Sequence, residues 1–185
     1  METLGRLETG ISIFFGKKVY IISKDRYIKP LSQGGEAMPV SLDDENFEKR
    51  RSLLLWVLKQ AGEIRGRTRF QKMILIGQKE LGLPDFFDFS KHYYGPYSWD
   101  LTEAIEDLIL QGDIVEHTEQ SGDYILYTYE LSDQGKVAAK GKKIKIDKKS
   151  AKVEEPAKAL QQLADIPLRA ILSYVYRKYL PNTAQ

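Results

Sequence analysis

The stretch from His92 to Gly135, HYYGPYSWDLTEAIEDLILQGDIVEHTEQSGDYILYTYELSDQG, holds no lysine or arginine in 44 residues, and ten carboxylates. It opens on a turn at Gly95-Pro96. Ser98 is a good N-cap for a helix, and Asp100 falls in the first turn, where negative charge meets the positive end of the helix dipole. Leu101, Ile105, Leu108 and Ile109 form an apolar stripe, and Gly112 is the natural left-handed stop. Ile114 and Val115 open a strand, and Gln120-Ser121-Gly122-Asp123 reads as a loop. Ile125, Tyr127, Tyr129 and Leu131 then alternate with more polar residues, as a half-buried strand does. Ser132 caps a short helix through Ala139.

Two further helices precede this stretch. Ser41 can cap the first, in which Phe47, Leu54, Leu58 and Ala61 recur at helical spacing before Gly62. The second begins near Thr68. Phe70, Met73, Ile74, Gly77 and Leu81 make a single apolar stripe, and Gly82 and Pro84 end it. Residues 42–131 therefore run helix, helix, helix, strand, strand, the order of a winged helix. A DNA duplex carries roughly one negative charge per 1.7 Å, so the reading half of such a fold should be cationic. Here that half is anionic.

The net charge of +2 conceals this segregation. Residues 47–79 carry a net +7, residues 92–135 a net −10 and residues 136–152 a net +7. Such asymmetry points to a partner, or to faces that pair with one another. The remaining composition is that of an ordinary globular protein, with 42% hydrophobic and 29% charged residues. No cysteine is present, which excludes disulfides and thiolate metal sites. With no apolar run near the roughly 20 residues of a membrane helix and no signal-peptide pattern at the start, a cytoplasmic protein without membrane contact is the expectation.

The expected class is mainly α with a small β component (α+β), a winged-helix-like core with an N-terminal β-hairpin and C-terminal helices. Residues 1–40 form the hairpin extension, with Phe15-Gly16-Lys17-Lys18 joining two strands over 11–29. Residues 41–139 form the winged-helix-like domain. Residues 140–153 read as a lysine-rich, solvated linker. Residues 154–185 form C-terminal helices packing on the core, the last capped by Asp165 with Pro167 in its first turn.

Signs of catalysis are thin. The two histidines, His92 and His117, belong to no recognisable metal or nucleophile motif, so no catalytic residue, metal or cofactor is expected. His92 stands with Tyr93 and near Tyr97, a set that can stack on a base or ligand or simply pack. On the third helix Asp100, Glu103, Glu106 and Asp107 occupy the side opposite the apolar stripe, with Leu110 among them. Three readings of this face stay open: a solvated surface, a hard-cation set of Asp100, Glu103 and Asp107, or a contact face for a basic protein. A major-groove reading helix would need Arg, Lys, Asn or Gln there. The cations lie one element earlier. Arg65, Arg67 and Arg69 lead into the second helix, Lys72 follows one turn on, and Arg50 and Arg51 belong to the first. Cations at a helix N-terminus oppose the dipole, so they suit either an anion such as nucleic-acid phosphate or this chain's own acidic third helix.

Four blocks carry a resemblance. They are Arg69-Phe70-Gln71-Lys72-Met73, Tyr94-Gly95-Pro96-Tyr97-Ser98 with the following Leu101, Ile105, Leu108 and Gly112, Leu131-Ser132-Asp133-Gln134-Gly135, and Val175-Tyr176-Arg177-Lys178-Tyr179-Leu180-Pro181. Together they resemble the YwgA-like group of uncharacterised prokaryotic winged-helix proteins over roughly residues 48–182. The second block is the most specific. More distantly, the Gln-Lys helix and Gly-Pro turn are similar to Panacea-domain antitoxins. The resemblance implies a helix-rich fold with a small wing, no catalytic residues and no cofactor. Its antitoxin side implies a regulator that binds another protein.

The expected function is accordingly a non-enzymatic regulatory or binding protein, of transcription-regulator or antitoxin type. Its acidic third helix and wing would meet a basic protein or a second copy, in a homodimer for example. Any nucleic acid would be held by Arg50, Arg65, Arg67, Arg69 and Lys72, with help from the lysine-rich linker. The alternative is a pure protein–protein interaction module.

Overall fold

The computed structural model describes residues 45–180 and, before them, the backbone of residues 11–15, 18–23 and 26–28. Residues 1–48 and 49–185 are two compact units. In the first, β1 (Ile11–Phe15), β2 (Lys18–Ser23) and β3 (Arg26–Ile28) form an antiparallel sheet in that order. Phe15 pairs with Lys18, as the expected hairpin requires. The third strand was not anticipated. Ser41 lies outside the described residues.

The second unit is built on helices. The chain runs α1 (Glu45–Ala61), β4 (Glu63–Arg65), α2 (Arg67–Glu80), α3 (Trp99–Leu110), β5 (Ile114–Ser121), β6 (Tyr124–Leu131), α4 (Asp133–Ala139), α5 (Pro156–Asp165) and α6 (Leu168–Tyr179). This is the expected mainly helical α+β architecture. It contains one element that sequence periodicity does not reveal. β4 pairs antiparallel with β6, Ile64 opposite Tyr129, and makes a three-stranded sheet of order β4-β6-β5. Three residues with one apolar side chain carry no alternation signal. The strand exists because β6 offers an open edge and the core accepts Ile64, which is fully buried.

Local chemistry places α3 as read. The Ser98 side chain accepts from the Leu101 backbone N–H at 3.2 Å, and Gly112 takes a φ of +78° beyond the last turn. Ser132 caps α4 by accepting from the Gly135 N–H at 2.9 Å. Asp165 does not cap α6. It ends α5, and Pro167 occupies the N-cap position of α6 with no side-chain capping bond.

α2 departs most from its sequence reading. A single apolar stripe was expected, yet every residue from Arg69 to Gln78 is buried. α5 and α6 pack on it and meet its polar side. The Arg69 guanidinium donates to the carbonyls of Leu163, at 3.0 Å, and Ile166. The Glu80 carboxylate accepts from the Tyr174 hydroxyl at 2.7 Å, the Lys178 ammonium at 2.6 Å and the Tyr179 hydroxyl. The core proper joins Leu54 and Leu58 of α1, Phe70 and Ile74 of α2 and Leu101 and Leu108 of α3, all fully buried. The Phe70 and Tyr129 rings meet edge-on at 5.5 Å.

The lysine-rich segment is not a solvated linker. Its side chains are largely exposed, but its backbone is fastened. The Asp147 N–H donates to the Gly82 carbonyl at 2.9 Å, and the Lys152 N–H to the Glu80 carbonyl at 2.7 Å. Lys142 donates to the Ser52 hydroxyl at 3.0 Å. A side chain at Gly82 would strike the Asp147 carbonyl oxygen. Residues 140–152 thus form a strap that runs from the middle of α1 to the C-terminal end of α2. Among the described residues no helix is long and apolar enough to cross a membrane.

Candidate docking surface

The five cations expected at an anion site do not converge. Lys72 is 1% exposed, and its ammonium donates to the Pro96 carbonyl at 2.6 Å. Burial pushes it down to about 8. Arg69 is buried against α5, and burial lowers it as well. Both side chains are buried on internal carbonyls instead of standing at the surface as the sequence reading expected. The reason is the second cover of helices over α2. Arg50 bridges Asp100 at 3.0 Å and Arg51 the fully buried Asp113 at 2.7 Å. Arg65 is bonded to its near neighbour Glu63.

Arg67 is held by three residues of β5 and β6. Its guanidinium donates to the Tyr129 hydroxyl at 3.0 Å, approaches Glu116 at 3.3 Å and lies 3.7 Å from the centre of the Tyr127 ring. Burial works against this charge, but the Tyr129 bond and the nearby Glu116 outweigh it and raise its proton affinity. Of the two partners left open for the basic helices, the chain's own acids hold Arg50, Arg51 and Arg67.

The acidic residues sit where the wheel put them. Trp99, Glu103 and Glu106 are exposed on α3, with Leu110 half-exposed, and their spacing of i, i+4, i+7 and i+11 makes one outward stripe. Asp100 and Asp107 flank it, half-exposed. Among the described residues no three acids or histidines come close enough to hold a metal ion together, so the cation set of Asp100, Glu103 and Asp107 is not assembled. A shallow cleft of about 60 Å³ separates α3 from the hairpin of β5 and β6, which stands in the place of the expected wing. Glu106 and Glu116 lie on its walls, with Tyr97, Tyr129 and Arg67. It has room for a side-chain tip rather than for a metabolite.

An aromatic ridge adjoins the N-terminal end of α3. The His92 ring stacks on Tyr97 at 4.9 Å and meets Tyr93 and Trp99 edge-on. Tyr97 and Trp99 also touch edge-on, at 5.0 Å. Tyr93 is 92% and Trp99 65% exposed. Sequence reading found His92, Tyr93 and Tyr97 but passed over Trp99, although its position four residues before Glu103 placed it on the same stripe. The far end of the wing also differs from expectation. Ile125 and Tyr124 are more than half exposed, because only the Tyr129–Leu131 end of β6 has core beneath it.

The blocks that carried the resemblance are fastened to one another. Gln71 and Ser98 exchange two hydrogen bonds, Nε2 to the carbonyl and the N–H to Oε1, both 2.9 Å. Lys72 holds the adjoining Pro96 carbonyl. A side chain at Gly95 would come within 2.7 Å of the Tyr176 ring, and one at Gly135 would collide with the Asp113 carbonyl. Their shared work is to position the turn, α3 and the wing.

Fold and site thus define a mainly helical α+β protein that presents an acidic helix, an exposed aromatic ridge and a two-stranded hairpin. Over 87 residues it is 40% identical to the uncharacterized protein YwgA of Bacillus subtilis. The match covers 47% of this chain, and the chain spans about half the length, 52%, of that relative. It supports the resemblance to the YwgA-like group. No family model and no solved structure matches the chain.

Proposed function

We propose that residues 45–139 are a winged helix turned to protein binding, with α3 and the wing as the docking face for a cationic partner. The order helix, strand, helix, helix, hairpin and the β4-β6-β5 sheet support the winged-helix reading. The observation that carries the function is the outward stripe of α3, Trp99, Glu103, Glu106 and Leu110. In a DNA reader that position needs donors for base edges and phosphates. Carboxylates there repel a duplex, and an exposed tryptophan beside them is the kind of anchor found at the centre of protein interfaces. A regulatory role of antitoxin type is compatible with such a face, since it acts through a bound protein.

The test is a pair of measurements. A photo-crosslinking amino acid replacing Glu103 should form protein adducts in the cell that makes this chain, and the same group at Lys59 should not. A fluorescent duplex titrated with the purified protein at about 50 mM salt should show no binding. Binding whose logarithm falls with log salt with a slope of several would mean that several phosphates are neutralised, and would sink the reading.

A further inference from the structure

We infer that the cationic partner of the α3–wing face is a second copy of this chain, which docks through its lysine strap. The inference rests on the docking face proposed above.

Both charge anomalies lie on one molecule. Residues 92–135 carry a net −10 and residues 136–152 a net +7, in a chain whose total is only +2. A duplex would account for the strap and be repelled by the wing. A foreign basic protein would account for the wing and leave the strap without a role. A second copy uses both.

The placement also favours contact between copies over contact within one. The wing meets the first residue of α2, through Arg67 and Glu116. Strap residues 145–149 lie at the other end of that helix, where Asp147 is bonded to Gly82. Fourteen residues of α2 hold the two about 20 Å apart. That is roughly two Debye lengths at 0.1 M salt, so within one copy the strap lysines are screened from the Glu116 end of the wing. Because its backbone is fastened, the strap cannot swing across to the wing. Its exposed Lys143, Lys145, Lys148 and Lys149 stand on a fixed frame, and Ile144 and Ile146 are half-exposed between them. The opposite face matches in kind. Glu103, Glu106 and Glu119 can receive the ammonium groups, and the Trp99 and Tyr93 rings can receive the apolar stems and the cations. Such a contact joins two different patches, so one copy keeps its strap free and the other its acidic face, and assembly proceeds head to tail. Exposed ion pairs contribute little singly. The contact therefore needs several at once and weakens steeply with salt.

The experiment is sedimentation velocity on the full chain. Salt is set at about 20 mM and about 300 mM, between which the Debye length falls from roughly 20 Å to roughly 6 Å. Association rising with protein concentration is expected at low salt, and its loss at high salt. The triple variant Glu103→Lys, Glu106→Lys, Glu119→Lys should be monomeric. So should Lys145→Glu, Lys148→Glu, Lys149→Glu. Mixed in equal amounts the two should associate again, since each now carries the complement of the other's reversed patch. A mixture that stays monomeric, or a wild type monomeric at low salt, overturns the inference. A labelled oligo-arginine peptide separates it from the reading beneath. Wild type that stays monomeric but binds the peptide, with loss of binding in the acidic-face variant, removes the second copy and leaves the docking face standing. Failure of both removes both.

Discussion

Gln71 and Ser98 are joined as if they were paired strand residues, the side-chain amide of one matching the backbone N–H and carbonyl of the other, both bonds 2.9 Å. A helix side chain thereby fixes the first residue before α3, which is also that helix's cap. The same amide donates to the Thr102 hydroxyl at 3.0 Å, one turn into α3. The angle at which α3 presents its acidic stripe is therefore set from α2.

Replacing Gln71 by leucine keeps much of its volume but leaves the Ser98 N–H without its buried partner, while the Ser98 carbonyl keeps the Thr102 N–H at 3.3 Å. One orphaned buried donor costs about 1–3 kcal/mol, and a loss of that size is expected, read as a lower denaturant midpoint at unchanged slope. A loss below about 0.5 kcal/mol, the scale of an ordinary surface change, would mean that the pairing does not hold the turn.

Lys72 gives stability an alkaline signature. Its ordinary value is 10.5, and burial brings it to about 8 in the folded protein. Between those values the unfolded chain binds more protons than the folded one, so stability rises with pH. Tyr129 and Tyr179 set the upper end of the window. Burial first, and the neighbouring Glu116 and Glu80 after it, hold their hydroxyls above the ordinary 10. Above about pH 10 the unfolded tyrosines ionise first, and stability falls. Chemical denaturation across pH 7 to about 11 should show a maximum near 10. Lys72→Met should remove the rise and keep the fall.

Glu80 supplies the acid limb. Burial alone would raise its carboxyl, but hydrogen bonds from Lys178, Tyr179 and Tyr174 outweigh burial and hold it below the ordinary 4.5. Its contribution is therefore present above that ordinary value and is lost as pH falls through the folded one. Glu80→Gln should flatten the acid limb and free α6, seen as faster amide exchange in residues 168–179 than in α3. Equal acid limbs in the variant and the wild type would show that this cluster does not clamp α6.

How far the sequence discloses this molecule depends on how local each cause is. α3 could be bounded because Ser98, its apolar stripe and Gly112 all lie within fifteen residues. β4 could not, because its strand character comes from the edge of β6, more than sixty residues later. The largest misreading was α2. Arg69, Gln71, Lys72 and Glu80 look like an exposed polar face because their partners are backbone carbonyls, a turn and helices up to a hundred residues away. Periodicity reports one buried face. It does not report that a second set of helices will cover the other and bond its polar groups one by one. On α3 the same reasoning placed Glu103 and Glu106 on the exposed face.

Gly82 and Gly135 distinguish the strap from the core. A methyl group at Gly135 would collide with the Asp113 carbonyl between α4 and β5, where neither backbone can retreat, and Gly135→Ala should cost roughly 3 kcal/mol or more. At Gly82 the obstruction is the Asp147 carbonyl of the strap, and φ is +70°. Gly82→Ala should release the strap, raising protease cleavage within residues 140–152 while the calorimetric transition of the body persists. Cleavage unchanged from wild type would show that the strap is fastened elsewhere.

Arg67 separates two accounts of the cleft. If it were an anion contact, its removal would weaken nucleic-acid binding. As the internal counterion of Glu116, bonded also to Tyr129 and lying over Tyr127, it instead lowers the negative potential that α3 and the wing present. Arg67→Ala should therefore strengthen binding of an oligo-arginine peptide at about 50 mM salt, by roughly three- to tenfold, as expected for removing one like charge beside an interfacial cation. The same change loses a bond between α2 and β6 and should speed amide exchange in β5 and β6. Fluorescence anisotropy reads the first effect and mass-resolved hydrogen exchange the second. Peptide affinity that falls on removing Arg67 would mean that the guanidinium organises the face, and would place the site's centre in the cleft rather than on the Trp99–Glu106 stripe.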